Sequence, residues 1–288
     1  MIAPEVQVRA SASPTRAGDW ALVLAAAGIP YRLDEREGAF SLVVAAADQE
    51  AATAALDGYD AETPARPAPA APDAGPSSLG VVLGLVFAGM FLMTGAAGPA
   101  SRWYQGGAAD ASAILHGQWW RAVTALTLHA DILHLVGNVV ASVIFGAAVG
   151  RWLGAGAGGL AILACAFVAN LLTAAARRTD FVSIGASTAT FAALGLVVGL
   201  QVARRWRGDA PRKYAWVPLG AGLALYAMVG VGDPNTDRYA HLFGLGVGAV
   251  VGAALAFKKA RAPRALAQAV LAVLTATALA GCWALALR

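Results

Sequence analysis

The chain has 288 residues, of which 58% are hydrophobic and only 13% charged, and its mean hydropathy of +0.61 is far too apolar for an ordinary soluble domain of this length. The net charge of +4 follows membrane topology and forms no nucleic-acid patch, and Cys165 and Cys282, both inside apolar runs, suggest neither a disulfide framework nor a thiolate metal site. What is left is an integral membrane protein.

The first 20 residues are polar and mixed in charge, without the basic start and apolar run of a cleaved leader, so the first membrane helix is expected to direct insertion. Residues 1–60 read as a small α+β domain. It runs as a strand at 5–10, a helix at 17–27, strands at 31–36 and 40–45, and a helix at 48–56. In this βαββα order Gly28 ends the first helix and Glu37-Gly38 turns the hairpin. The module is expected on the cytoplasmic side as a regulatory or dimerising unit. Residues 61–78, AETPARPAPAAPDAGPSS, make a Pro and Ala rich linker of semi-extended character.

Seven apolar stretches follow, at 79–97, 132–150, 152–175, 181–203, 214–232, 239–257 and 265–287. About 20 such residues cross a ~30 Å hydrocarbon core as a helix. The predicted fold class is therefore an all-α polytopic membrane protein, preceded by the small α+β domain. Residues 79–257 form a six-helix membrane domain, and 258–288 add a basic loop and a seventh helix. Arg151 and the glycines after it turn the second stretch into the third. Residues 98–131 carry Trp103, Tyr104, Trp119, Trp120 and Arg121, which suit the headgroup level and predict short helices in the outer leaflet. An ordinary loop with interfacial anchors is the other reading. The densest basic clusters, 204–213 and 258–264, fall on one side when the N-terminus is cytoplasmic, which sets the orientation.

Four polar side chains stand in these stretches: His134, Asn138, Ser187 and His241. Each costs roughly one to several kcal/mol in hydrocarbon, so together they argue for a pathway, a binding site or chemistry. With the N-terminus inside, helices two, four and six all begin on the outer side. His134 then lies in the first turn of helix two, Asn138 one turn deeper, Ser187 about six residues into helix four and His241 about two into helix six, all within about 10 Å of the outer boundary at 1.5 Å per residue. His134 and Asn138 share a face by their i, i+4 spacing, as do His241, Gly244 and Gly248, whose Gly-x-x-x-Gly spacing admits a neighbouring helix. The small residues Gly185 and Ala186 before Ser187 make helix four the natural partner.

A Ser beside a His is a nucleophile beside its general base, and His134 and Asn138 can donate to a developing oxyanion. No carboxylate lies within these helices, so a Ser187–His241 dyad is the expectation. Two other uses stay open. His129, His134 and His241 could hold a metal, disfavoured by the missing acidic ligand. A transporter could use the cluster as a substrate site, although no inverted repeat supports one.

The chain from about 79 to 257 resembles the bacterial type of rhomboid intramembrane serine protease. Trp120-Arg121 is similar to the family's outer-loop motif, His129-x4-His134-x3-Asn138 to its His and Asn signature, Gly185-Ala186-Ser187 to its nucleophile motif, and Ala240-His241-x2-Gly244-x3-Gly248 to its sixth-helix motif. The resemblance implies Ser187 as nucleophile and His241 as base, with His134, Asn138 and the Ser187 amide at the oxyanion. Gly185, Phe191, Gly244, Gly248, His129 and Arg121 would support them. It implies cleavage of other proteins' transmembrane helices near the outer face of a bacterial inner membrane, with the lipid bilayer as setting and no metal or cofactor. The turn at 229–235 would be a gate beside helix five. The first 60 residues resemble the cytoplasmic domain of some bacterial members. Thr188 stands where the family usually has Gly, and Phe191 where many members have Tyr. The alternative within the family is a weak or inactive relative that binds membrane clients.

Overall fold

The computed structural model describes residues 4–36, 38–63, 77–177, 181–207, 216–229, 237–258 and 262–288. Glu37, linker residues 64–76, residues 208–213 and 259–261 of the basic clusters, and 230–235 of the expected gate lie outside the described residues. The chain divides into two compact units, Met1–Ala68 and Pro69–Arg288.

The first unit contains β1 (Glu5–Ser11), α1 (Pro14–Ala26), β2 (Tyr31–Arg36), β3 (Ala39–Ala45) and α2 (Gln49–Glu62). Its antiparallel sheet has the order β1-β3-β2, with Glu5 opposite Ala45 and Leu33 opposite Leu42. Helix α1 begins three residues earlier than the apolar pattern predicts, because Pro14 preorganises its first turn and the Ser13 side chain accepts from the Arg16 amide at 3.3 Å. Helix α2 continues past Leu56 because Tyr59, one turn on, still packs on the core of Trp20, Leu24, Leu42 and Val44.

The second unit opens with α3 (Leu79–Thr94), then α4 (Arg102–Gly107), β4 (Ala109–Asp110), α5 (Ala111–Leu115) and α6 (Arg121–Thr124). The short helices expected in 98–131 are therefore present. The remaining elements are α7 (Ile132–Leu153), α8 (Ala155–Arg177), β5 (Val182–Ser183), α9 (Ser187–Trp206), α10 (Val217–Val229), α11 (Arg238–Phe257) and α12 (Ala265–Ala286). Helices α7, α8, α9, α11 and α12 are long and apolar enough to cross a membrane, while α3 and α10 are apolar but shorter. The protein is an integral, multi-pass membrane protein, mostly helical, with a small strand-containing domain in front.

Helix α9 is the most enclosed of the long helices, and α11 lies along it. Glycine makes that approach possible: a methyl added at Gly195 or Gly199 of α9 would collide with α11 backbone carbonyls, and one at Gly248 or Gly252 of α11 with those of α9. Helix α12 is the least enclosed. Its Gln268 accepts from the Ala157 amide at 2.9 Å and donates to the Leu153 carbonyl at 2.7 Å, clamping the α7–α8 turn at Gly154, whose φ is 80°.

One sequence expectation is corrected. Ser187 is the first residue of its helix, not the sixth or so of a helix beginning at 181. Residues 182–183 pair instead with 109–110, and Gly185 at φ 127° breaks the chain direction before α9 starts.

Candidate active site

Helices α7 and α11 each begin with a capping carboxylate. Asp131 Oδ1 accepts from the His134 amide at 2.8 Å, and Asp237 Oδ1 from the Ala240 amide at 3.0 Å. Each cap satisfies an orphan donor of the first turn, so the turns carrying His134 and His241 are fixed where the helices start. Helix α9 differs, since Ala186 offers no capping side chain. The first amides of α9, Ser187 included, therefore point their N–H groups out of the helix with its positive dipole end behind them.

His241 is buried at 5% exposure, and its Nε2 lies 2.7 Å from Ser187 Oγ, a hydrogen-bond distance. In the tautomer with the proton on Nδ1, the Ser187 hydroxyl donates to Nε2. The Phe191 ring, one turn into α9, stacks on the imidazole with centroids 4.5 Å apart at 23° and packs edge-on to Tyr226 of α10. The Phe at this position thus fills the stacking role without a hydroxyl. Gly244 brings α11 against the Thr188 carbonyl and Gly248 against that of Ala192. Thr188 itself is buried.

His134 and Asn138 reach this place through Gly185. A Cβ on Gly185 would sit 2.6 Å from His134 Nε2 and 3.8 Å from Asn138 Nδ2, so both nitrogens lie against the loop two residues before the nucleophile. Asn138 is buried and donates from Nδ2 to the His134 carbonyl at 3.0 Å. Another turn along α7, the Ser142 hydroxyl meets Thr190 Oγ1 of α9 at 3.2 Å, a buried polar link below the cluster.

His129 is fully buried, and its ring packs edge-on to that of His134, with centroids 5.2 Å apart. Its ring nitrogens are buried, and its carbonyl accepts from the Ala97 amide at 2.8 Å. Burial, then the neighbouring His134, push its pKa down to about 4, so it is neutral near pH 7. Arg121 stands apart from the cluster. Its guanidinium donates to Gln118, to the Ala108 carbonyl at 3.0 Å and to the Gln105 carbonyl at 2.7 Å, tying the segment between α3 and α7 to itself. Among the described residues no three His, Cys, Asp or Glu side chains come together in a way that could hold a metal ion.

All four intramembrane polar residues singled out in the sequence thus converge, Ser187 and His241 directly and His134 and Asn138 by way of Gly185. The sequence reading missed Asp131 and Asp237. An Asp just before an apolar run is a helix-start signal that would have found both. Ser142 and Thr190 were missed because lone hydroxyls in apolar helices are ordinary packing residues.

A family model described as the Rhomboid domain matches residues 116–258, a span that contains every residue of this cluster. The chain belongs to the rhomboid family. It is 29% identical over 132 residues to the putative rhomboid protease YdcA of Bacillus subtilis, covering 46% of this chain and 65% of that protein. It is 31% identical over 160 residues to the rhomboid protease GluP of the same bacterium, covering 54% and 30%. With RHOMBOID-like protein 1 of Arabidopsis thaliana it shares 30% over 147 residues, covering 51% and 37%. The chain therefore spans less than two thirds of each of these relatives. In this rhomboid protein the first unit and α12 lie outside the matched family span.

Proposed function

We propose that this rhomboid protein is an intramembrane serine endopeptidase that hydrolyses peptide bonds in or near the transmembrane helices of other membrane proteins. The observation that carries the proposal is the 2.7 Å contact between Ser187 Oγ and the Nε2 of a His241 held by Phe191. As Oγ attacks the scissile carbonyl, Nε2 takes the hydroxyl proton and returns it to the leaving amine. Water then enters by the same route in reverse, with His241 again as base, and releases the acyl group from Ser187.

The oxyanion that forms in both steps needs donors already in place. The Ser187 amide at the uncapped start of α9, His134 and Asn138 are the donors this chain offers. His134 needs no charge for this, because a neutral imidazole N–H can donate. Gly185 leaves the room that His134 occupies, and His129 backs the His134 ring from the outer segment. Every proton and charge in these steps is handled by side chains and amides of the chain itself.

The setting we propose is a bacterial inner membrane, with the N-terminus cytoplasmic and Ser187 toward the outer face. The starts of α7, α9 and α11, which carry the cluster, then lie on the side opposite the basic ends of α9 and α11. Helix α10 is short, and its Tyr226 hydroxyl donates to the Arg238 carbonyl at 3.2 Å at the head of α11, so a substrate helix entering past α10 arrives next to His241.

Cleavage of a reconstituted single-helix substrate tests the proposal. Ser187→Ala and His241→Ala should each lower kcat by about a thousandfold or more. Labelling by a serine-directed phosphonate should occur at Ser187 in the wild type and be lost in both variants. Equal product from all three chains would end the protease proposal.

A further inference from the structure

Helix α12 has a single large buried side chain, Trp283, near its outer end. The indole N–H donates to Thr127 Oγ1 at 3.1 Å in a buried hydrogen bond. That hydroxyl is already oriented, because its one proton goes to the Thr124 carbonyl at 2.9 Å, leaving its lone pairs for the indole. The ring is held on its other sides by Trp103, edge-on at 5.2 Å, and by the bare backbone of Gly107, where a Cβ would approach a ring carbon to 2.5 Å. Such a close-packed aromatic anchor is unexpected on the least enclosed of the long helices.

What Trp283 holds is the segment between α6 and α7, and that segment supports the oxyanion side of the cluster twice. The Ala125 carbonyl accepts from the Gly185 amide at 2.9 Å, fixing the loop ahead of Ser187. His129, two residues past Thr127, puts its ring against His134. Apolar packing repeats the link, since Trp283 shares one cluster with Leu128, next to His129, and Ile184, next to Gly185.

We propose that Trp283 is a positioning residue, through which the seventh helix sets the Gly185 loop and the His134 ring for oxyanion stabilisation. The inference rests on the protease function proposed above and extends it to an element outside the matched family span. Misplacing oxyanion donors weakens an interaction made mainly in the transition state, so the loss belongs in kcat and not in KM.

The experiment uses the full chain reconstituted in vesicles with a single-helix substrate. Trp283→Phe keeps the ring in its pocket and removes only the N–H. It should lower kcat about fivefold, the rate equivalent of one net hydrogen bond, with KM unchanged. Thr127→Val should do the same, and the double variant should lose no more than either single one. Gln268→Leu, which loosens the far end of α12, should keep the wild-type kcat. In Trp283→Phe the backbone amides of residues 124–130 and 181–187 should exchange with deuterated water faster than in the wild type.

An unchanged kcat in Trp283→Phe, a loss confined to KM, additive losses in the double variant, or the same kcat loss in Gln268→Leu would each overturn the role of Trp283. A wild type that cleaves nothing would instead remove the protease function. The exchange measurement then decides the link alone, and unchanged exchange at 181–187 overturns it.

Discussion

His129 shows how much a single side chain can depend on its surroundings. Enclosed between Phe87 and His134, with both ring nitrogens buried, it stays neutral until about pH 4, whereas an unfolded histidine protonates near its ordinary 6.5. Between those values the unfolded chain binds a proton that the folded chain refuses. Stability contributed at this position is therefore complete above pH 6.5 and is lost as the pH falls toward 4, a change of roughly 3 kcal/mol over the window. Comparing unfolding of the wild type with His129→Phe at pH 7 and pH 4.5 should show the wild type losing more stability on acidification. Parallel losses in the two chains would refute this. Ser187 and His241 were legible in the sequence because, with His134 and Asn138, they fall at one depth in three separate apolar runs, a combination that a lone packing hydroxyl does not make. The clearance that Gly185 gives His134 was not legible, since it depends on a positive φ and on a neighbour about 50 positions away in the chain.

At the scale of elements, the site is made by three helix beginnings treated in two ways. Acid caps on α7 and α11 close their first turns, and the absence of a capping side chain on α9 leaves its first amides available. Helix α11 then lies against α9 closely enough that no side chain fits at Gly195, Gly199, Gly248 or Gly252. Gly248→Leu should push the two helices apart, lower the unfolding midpoint by the equivalent of about 1–3 kcal/mol, and slow phosphonate labelling of Ser187. Gly246 on the same helix has nothing within 4 Å of an added Cβ, so Gly246→Leu should leave both readings unchanged. Wild-type labelling in Gly248→Leu would show that the seam does not set the dyad. The sequence located these helices well because their apolar runs are long. It misplaced the start of α9 because residues 181–186 are equally apolar as strand, turn or helix, and backbone geometry alone decides between them. It also overran α3, whose apolar stretch continues to Ala97 past the helix end at Thr94.

For the molecule as a whole, two kinds of construction stand side by side. The first unit is held by a small core around Trp20 and by Arg16 and the Trp20 indole N–H meeting Asp60, the currency of a water-soluble fold. Its βαββα order was readable from the sequence because alternation and turn residues mark such elements locally. What the unit does was not readable, because its sequence carries no motif of reactive residues. The membrane unit relies on glycine seams and on two clamps at the ends of α12. The seam between α9 and α11 also has a mechanical side. Two helices locked backbone to backbone act as one stiff strut, and both Ser187 and His241 ride on it. A thinner or thicker bilayer would tilt or bend the looser helices around the strut without changing its internal spacing. Reconstitution in lipids of different acyl length should therefore alter turnover of a helical substrate, which has to pass those looser helices, while the rate at which a small phosphonate labels Ser187 stays constant. A labelling rate that follows turnover would mean that the strut itself yields. If it does not yield, the protein separates the precision of its chemistry from the softness of the medium it works in.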